Sequence, residues 1–245
     1  MAAAVLKKQY ESVLGGHLDW QTRPEPERVR SGVAEVDAAT GGLPRGCLTE
    51  IYGPASSGRT SLLLAILAAA TAREEVCALV DAEDAFDPVS AAESGVRLAR
   101  LLWVRCGGGC AGGCASGCAS GCNDRAEQAL RAADLLIQGG GFGVVAMDLG
   151  DTPVAGARRI SLTSWFRLRR AVEHTPAVLV TVGRQSYAKT CASLMLECRR
   201  EREAWSGARG ASRLLRGIGV RATSMRTTST NRSKACSPVF TATAI

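Results

Sequence analysis

Residues 47–72 place a strand, a glycine-bounded loop and a helix in immediate succession, and few folds accommodate that order. The loop reads Gly53-Pro54-Ala55-Ser56-Ser57-Gly58-Arg59-Thr60. Before it, Cys47-Leu48-Thr49-Glu50-Ile51-Tyr52 has the character of a strand, and after it SLLLAILAAATA, from Ser61, that of a helix. The spacing matches G-x-x-x-x-G-K-[ST], in which the glycines let backbone N–H groups curl around phosphates. In that motif a lysine reaches the β/γ oxygens and a hydroxyl ligates Mg²⁺. Gly53, Gly58 and Thr60 stand in place, and arginine stands where the pattern has lysine. The helix N-terminus adds a dipole that favours anions. The run from Gly53 to Ser61 is therefore the expected nucleotide-binding segment, with ATP and Mg²⁺ as its ligands. A plain strand-to-helix turn is the structural alternative.

The rest of the chain repeats the same alternation. CLTEIY is followed by 59–73, VCALVD by 88–94, LLWVR by 124–138, FGVVAMD by 162–173 and AVLVTV by ASLMLEC. Strand-like runs interleaved with amphipathic helices predict an α/β fold, with a mostly parallel sheet covered by helices on both faces. Ligands of such sheets bind at the carboxyl ends of the strands. Gly53, Glu83 and Asp148 all fall at or just beyond those ends. With 245 residues and 46% apolar side chains the chain suits one such domain, and 4% aromatic content leaves the core to Ala, Leu and Val. The first residues show no long apolar signal-like run, and no apolar run of ~18 residues occurs anywhere, so a cytoplasmic protein with no membrane segment is expected.

The organisation expected along the chain is a helix and linker over 1–30, a nucleotide-binding core over 31–205 and a basic, disordered tail over 206–245. Two prolines in Thr22-Arg23-Pro24-Glu25-Pro26-Glu27 mark the linker. Within the core, 106–122 is a Gly/Cys low-complexity insertion with Cys106, Cys110, Cys114, Cys118 and Cys122 at every fourth position. Glycine at this density does not sustain a helix that would align the thiols, and five even spacings do not match the paired pattern of structural zinc. A repeat expansion and metal or redox chemistry are the two readings. Cys47, Cys77, Cys191 and Cys198 sit in apolar runs and are expected in the core.

Charge is unevenly divided. Residues 1–150 carry 13 Lys/Arg and 18 Asp/Glu, net −5, and residues 151–245 carry 17 and 5, net +12. A basic second half points to a polyanion. Arg158, Arg159, Arg167, Arg169 and Arg170 surround Trp165-Phe166, a mixture suited to a nucleic-acid backbone with unstacked bases, although the aromatic pair also fits a core position.

Several segments resemble bacterial RecA recombinases. They are SGVAEVDAATGGLPRGCLTEIYGP leading into the loop, VDAEDAFDP at 80–88, RAEQALRAADLLIQ, and the strand VVAMD. The similarity covers roughly residues 30–150 and, more loosely, 151–200. It implies a RecA-like P-loop NTPase core. It also implies an ATP-dependent protein on single-stranded DNA that serves recombination, repair and the SOS response and forms homo-oligomers or filaments; residues 1–20 are then either a helix that docks on a neighbouring subunit, as in RecA, or an ordinary packing helix. By the same resemblance Asp148 joins Thr60 at the metal and Glu83 orients the attacking water, unless Glu83 is a surface carboxylate beside Asp81, Asp84 and Asp87. Gln185 is either the γ-phosphate sensor or a surface glutamine.

Three departures bear on activity. Arg59 keeps the charge but not the compact reach of lysine, so hydrolysis is expected to be weak. The stretch from Asp148 to the strand at 177 is shorter than in RecA. Gly183-Arg184-Gln185-Ser186-Tyr187 replaces a glycine-rich DNA loop, and a counterpart of the RecA C-terminal domain is not expected. These differences suit a divergent paralogue akin to ImuA-type accessory proteins, so a non-hydrolysing module that docks on repair or translesion proteins is the alternative to a DNA-dependent ATPase. No acceptor-binding lid supports kinase chemistry.

Overall fold

The computed structural model of the protein describes residues 25–106, 121–207, 214–227 and 239–243. The expected N-terminal helix over residues 3–14 and Cys110, Cys114 and Cys118 of the repeat lie outside these residues. Among the described residues, β1 (Arg28–Val29) pairs antiparallel with β2 (Leu43–Pro44), and helix α1 (Ala34–Thr40) lies between them in sequence. The main sheet is built from β3 (Cys47–Tyr52), β4 (Cys77–Asp81), β5 (Leu101–Arg105), β6 (Val144–Asp148), β7 (Val178–Gly183), β8 (Leu194–Ser206), β9 (Leu214–Thr227) and β10 (Val239–Thr243). Its order is β10-β9-β8-β3-β7-β6-β4-β5. The strands from β8 to β5 run parallel, and β9 and β10 are antiparallel additions at one edge.

Parallel strands need crossovers, and helices supply them. These are α2 (Arg59–Ala72), α3 (Pro88–Glu93), α4 (Gly121–Gly139), α5 (Val154–Ala157) and α6 (Leu162–Val172). Side chains of a strand alternate between faces, so a sheet covered on both sides builds two cores. On one face Val144, Ala146, Val178, Val180 and Val182 meet Leu62, Leu63, Ile66 and Leu67 of α2. On the other, Val145, Met147 and Leu179 meet Ala129, Ala133 and Ile137 of α4 and Trp165, Leu168 and Val172 of α6. This is the expected α/β core with helices on both faces.

Two expectations fail at the carboxyl end of the chain. ASLMLEC, in the place of a helix, instead leads into β8, because Leu194, Leu196 and Cys198 are buried in the core on the α2 face while Met195, Glu197 and Arg199 turn to the other face, where Met195 packs against the second core and Arg199 is exposed. That period of two is a strand pattern. Nor is 206–245 without order, since it supplies β9 and β10. Ser, Thr, Gly and Arg dominate there, yet Val220, Ala222 and Phe240 bury their side chains in the core on the α2 face. One covered face anchors the ribbon.

Cys77, Cys106, Cys191 and Cys198 are buried free thiols, and Cys47 is half-buried. Burial pushes Cys77 and Cys198 up to about 12, which keeps them protonated and poorly nucleophilic. Among the described residues no helix is long and apolar enough to cross a membrane.

Candidate functional site

The loop after β3 is held by backbone contacts that tolerate glycine alone. The Gly53 N–H donates to the Gly183 carbonyl at 3.1 Å, tying the loop to the end of β7. A Cβ on Gly53 would lie 2.3 Å from the Cys198 carbonyl oxygen. Gly58 has φ +84°, and a Cβ there would strike Val220 of β9 at 2.3 Å. The ribbon that composition failed to announce thus packs directly under the loop. Pro54, Ala55 and Ser56 are exposed, Ser61 is half-buried, and the Ser57 hydroxyl is buried with no hydrogen-bond partner.

Arg59 opens α2 but does not reach outward. It is 6% exposed, with Nη1 donating to the Gly53 carbonyl at 2.6 Å and Nη2 to the Gly150 carbonyl at 2.9 Å. The guanidinium therefore clamps the start of the loop to the segment after β6. A side chain on Gly150 is excluded, because its Cβ would lie 2.8 Å from Asp148 Oδ1 and 3.2 Å from Arg59 Nε and Nη2. A planar fork suits such two-point anchoring, whereas an ammonium has one nitrogen to offer.

Beside this clamp lies a cleft of about 420 Å³, whose lining includes Ser56, Arg59, Thr60, Phe86, Asp148, Gly150 and Asp151. Thr60 is exposed to it. Asp148 accepts a hydrogen bond from the Gly150 N–H at 2.7 Å, and burial pushes its carboxyl up to about 6, against the pull of that bond. The close-approach glycines, the orphaned Ser57 hydroxyl and the pairing of hydroxyl with carboxylate fit a phosphate group and a bridging divalent ion. Among the described residues no three His, Cys, Asp or Glu side chains gather as a metal site, so oxygens of a phosphate ligand would have to complete the shell of such an ion.

The remaining expected residues are dispersed. Glu83 is not in the lining of this cleft: one oxygen accepts from Arg125 Nη1 at 2.8 Å and the other is buried without a partner. Gln185 accepts from Arg158 Nη2 at 3.2 Å and lines a different cleft of about 500 Å³ with Arg158, Arg159 and Lys189. Arg167 pairs with Asp134 at 3.5 Å. Arg169 lines a third cleft with Gly46, Cys47, Pro176 and Ser193, at the amino ends of the strands, and Arg170 is exposed. Trp165 is fully buried in the core, and Phe166 alone of the pair is exposed. The five arginines do not form one patch.

Other residues shape the site without a sequence signal of their own. Asp81, at the end of β4, is buried and accepts from the backbone N–H groups of Glu83, Ala85 and Phe86 and from Trp103 Nε1, so it folds the acidic loop. Glu50 lies buried in β3, accepts from Ser186 Oγ and from the N–H groups of Tyr187 and Ala188, and thereby fixes the segment carrying Arg184 and Gln185. Burial raises its pKa above the usual carboxylate range. Arg184 Nε donates to the same Gly150 carbonyl that Arg59 uses, and Asp151 stands beside both arginines at the edge of the clamp.

A mostly parallel sheet with a glycine-bounded loop, a helix start and a strand-end acid at its carboxyl ends defines the class: an α/β protein with a RecA-like core. The family model of the RecA N-terminal domain matches residues 4–112. Protein RecA of Rickettsia massiliae is 29% identical over 198 residues, 74% of this chain and 53% of its own length. Protein RecA of Colwellia psychrerythraea is 35% identical over 149 residues, covering 60% and 38%, and that of Methylococcus capsulatus 42% over 114 residues, covering 46% and 28%. Over these stretches the chain is similar to the RecA family. It spans about half the length, or less, of these relatives.

Proposed function

We propose that the protein binds ATP with Mg²⁺ on the loop Gly53–Ser61 and acts on single-stranded DNA in recombination, repair and the SOS response, turning ATP over slowly. The observation that carries this reading is the single cleft shared by the loop, Thr60 and Asp148. In the proposed mechanism the loop N–H groups and the helix start hold the phosphates, and Thr60 and Asp148 hold the ion, which would neutralise charge on the phosphate oxygens. Slow turnover follows from Arg59, whose guanidinium is committed to two carbonyls, and from Glu83, which stands outside the cleft lining with one carboxylate oxygen committed to Arg125. Arg158, Arg159 and Lys189, on one cleft beside Gln185, are the proposed DNA-backbone contacts, and a second copy of the chain is the proposed partner in a filament.

The commitment of Arg59 and Glu83 also favours a second reading, an ATP-binding module without hydrolysis that docks on repair or translesion proteins. Phosphate release, measured with and without single-stranded DNA, separates the two. Stimulation by DNA supports the ATPase. Nucleotide binding with no release above background under either condition supports the module.

A further inference from the structure

Two arginines from different elements converge on one carboxylate oxygen at the rim of the candidate cleft. Arg59 Nη2, from the start of α2, and Arg184 Nη2, just after β7, each stand 3.6 Å from Asp151 Oδ1. Arg184 Nε also donates to the Gly150 carbonyl at 3.1 Å, the acceptor that Arg59 uses. The two guanidinium groups are therefore oriented by the same backbone oxygen, and the anion between them is exchangeable. Asp151 has 57% of its side chain exposed, and 3.6 Å is longer than a hydrogen bond. An exposed pair of this length contributes little net stability.

We propose that Asp151 is an internal stand-in for the terminal phosphoryl group of a nucleoside triphosphate, and that Arg184 is the residue that senses that group. The inference rests on the nucleotide-binding reading above. Asp151 and Thr60 line the same cleft, so a nucleotide held by the loop directs its last phosphoryl group toward this rim. A phosphoryl group carries more charge than a carboxylate and three oxygens rather than two, so it accepts from both guanidinium groups at once. Arg59 keeps its two carbonyl anchors and offers the edge that now faces Asp151. A diphosphate ends short of the rim and leaves the Asp151 pairs intact. Asp151 and Arg184 thereby determine the preference for triphosphate over diphosphate.

Calorimetric titration of the full chain with Mg·ATP and Mg·ADP tests this. Removing the competing charge in Asp151→Asn should tighten ATP by about fivefold or more while ADP changes by less than about twofold. Arg184→Ala should abolish the preference for ATP with ADP affinity unchanged, and Arg184→Lys should restore part of it. Thermal melting of each variant monitors the fold, which these exposed substitutions leave intact. An equal shift for both nucleotides in Asp151→Asn, or an unchanged ATP-to-ADP ratio in Arg184→Ala, overturns the proposal while the nucleotide reading stands. Absence of binding of either nucleotide to the wild type overturns both.

Discussion

Replacing Arg59 by lysine restores the loop motif and, on this structure, should weaken the fold while improving the site. The guanidinium donates to two carbonyls, Gly53 at 2.6 Å and Gly150 at 2.9 Å, in a position that is 6% exposed. A single ammonium nitrogen on a shorter chain keeps one of these contacts at most. Losing one bond from a charged donor costs about 2 kcal/mol. For a chain of this size that lowers the melting temperature by about 4–8 °C. The ammonium is also freed from its second anchor and can turn into the loop, toward phosphate oxygens that the clamped guanidinium, facing the Asp151 rim, does not reach, so Mg·ATP affinity should rise about tenfold. Circular dichroism melts and calorimetry on the same preparations read both effects. A variant as stable as wild type with no gain in ATP affinity would refute the clamp and its competition with phosphate binding.

Other perturbations probe separate parts of the account. Arg125→Ala in the Arg59→Lys background should raise phosphate release further by freeing Glu83, and adding Glu83→Gln should remove the gain; no change in either variant removes Glu83 from the mechanism. Trp165→Ala should cost about 3–5 kcal/mol in urea denaturation, as for any fully buried large aromatic, whereas Phe166→Ala should cost little. Raised by burial, the Glu50 carboxyl stabilises the native state most below its ordinary pKa of 4.5, and that contribution is lost as pH rises through the raised value. The urea midpoint of Glu50→Gln should therefore gain on wild type between pH 4 and pH 7.5, and parallel midpoints contradict the assignment. Replacing Arg158 and Arg159 by alanine should reduce the salt slope of single-stranded DNA binding by about 1.4, at about 0.7 per phosphate contact, while Arg169→Ala, at the opposite end of the sheet, leaves the slope unchanged.

The parallel part of the sheet was legible because its strands are short apolar runs between glycine-rich or acidic turns and helical repeats, a pattern read locally. β8 was not, since Leu194, Leu196 and Cys198 bury one face while Glu197 and Arg199 expose the other, and a run that short serves helix and strand patterns alike. Strands β9 and β10 escaped notice for a tertiary reason: Val220, Ala222 and Phe240 gain their burial from contacts across the fold, and the surrounding Ser, Thr, Gly and Arg carry no apolar periodicity. At the site, the loop and Asp148 were visible as motif and strand end. The direction of the Arg59 side chain was not, because it is set by the carbonyl of Gly150, 91 residues away. Glu83 and Gln185 follow the carboxyl ends of β4 and β7 but stay out of the candidate cleft, with Arg125 and Arg158 as their side-chain partners, neither of which the local sequence announces.

On the proposed reading, Gly53–Ser61 and Asp148, with Thr60 at the metal, together form a Mg²⁺-dependent ATP site. Calorimetry of ATP into the full chain, with Mg²⁺ and with chelator, on wild type and Thr60→Ala, tests it most directly. The account predicts binding to wild type that weakens when Mg²⁺ is withdrawn, and a Thr60→Ala variant whose residual affinity no longer responds to the ion. No binding, or equal affinity with and without Mg²⁺ that the substitution leaves unchanged, would contradict it.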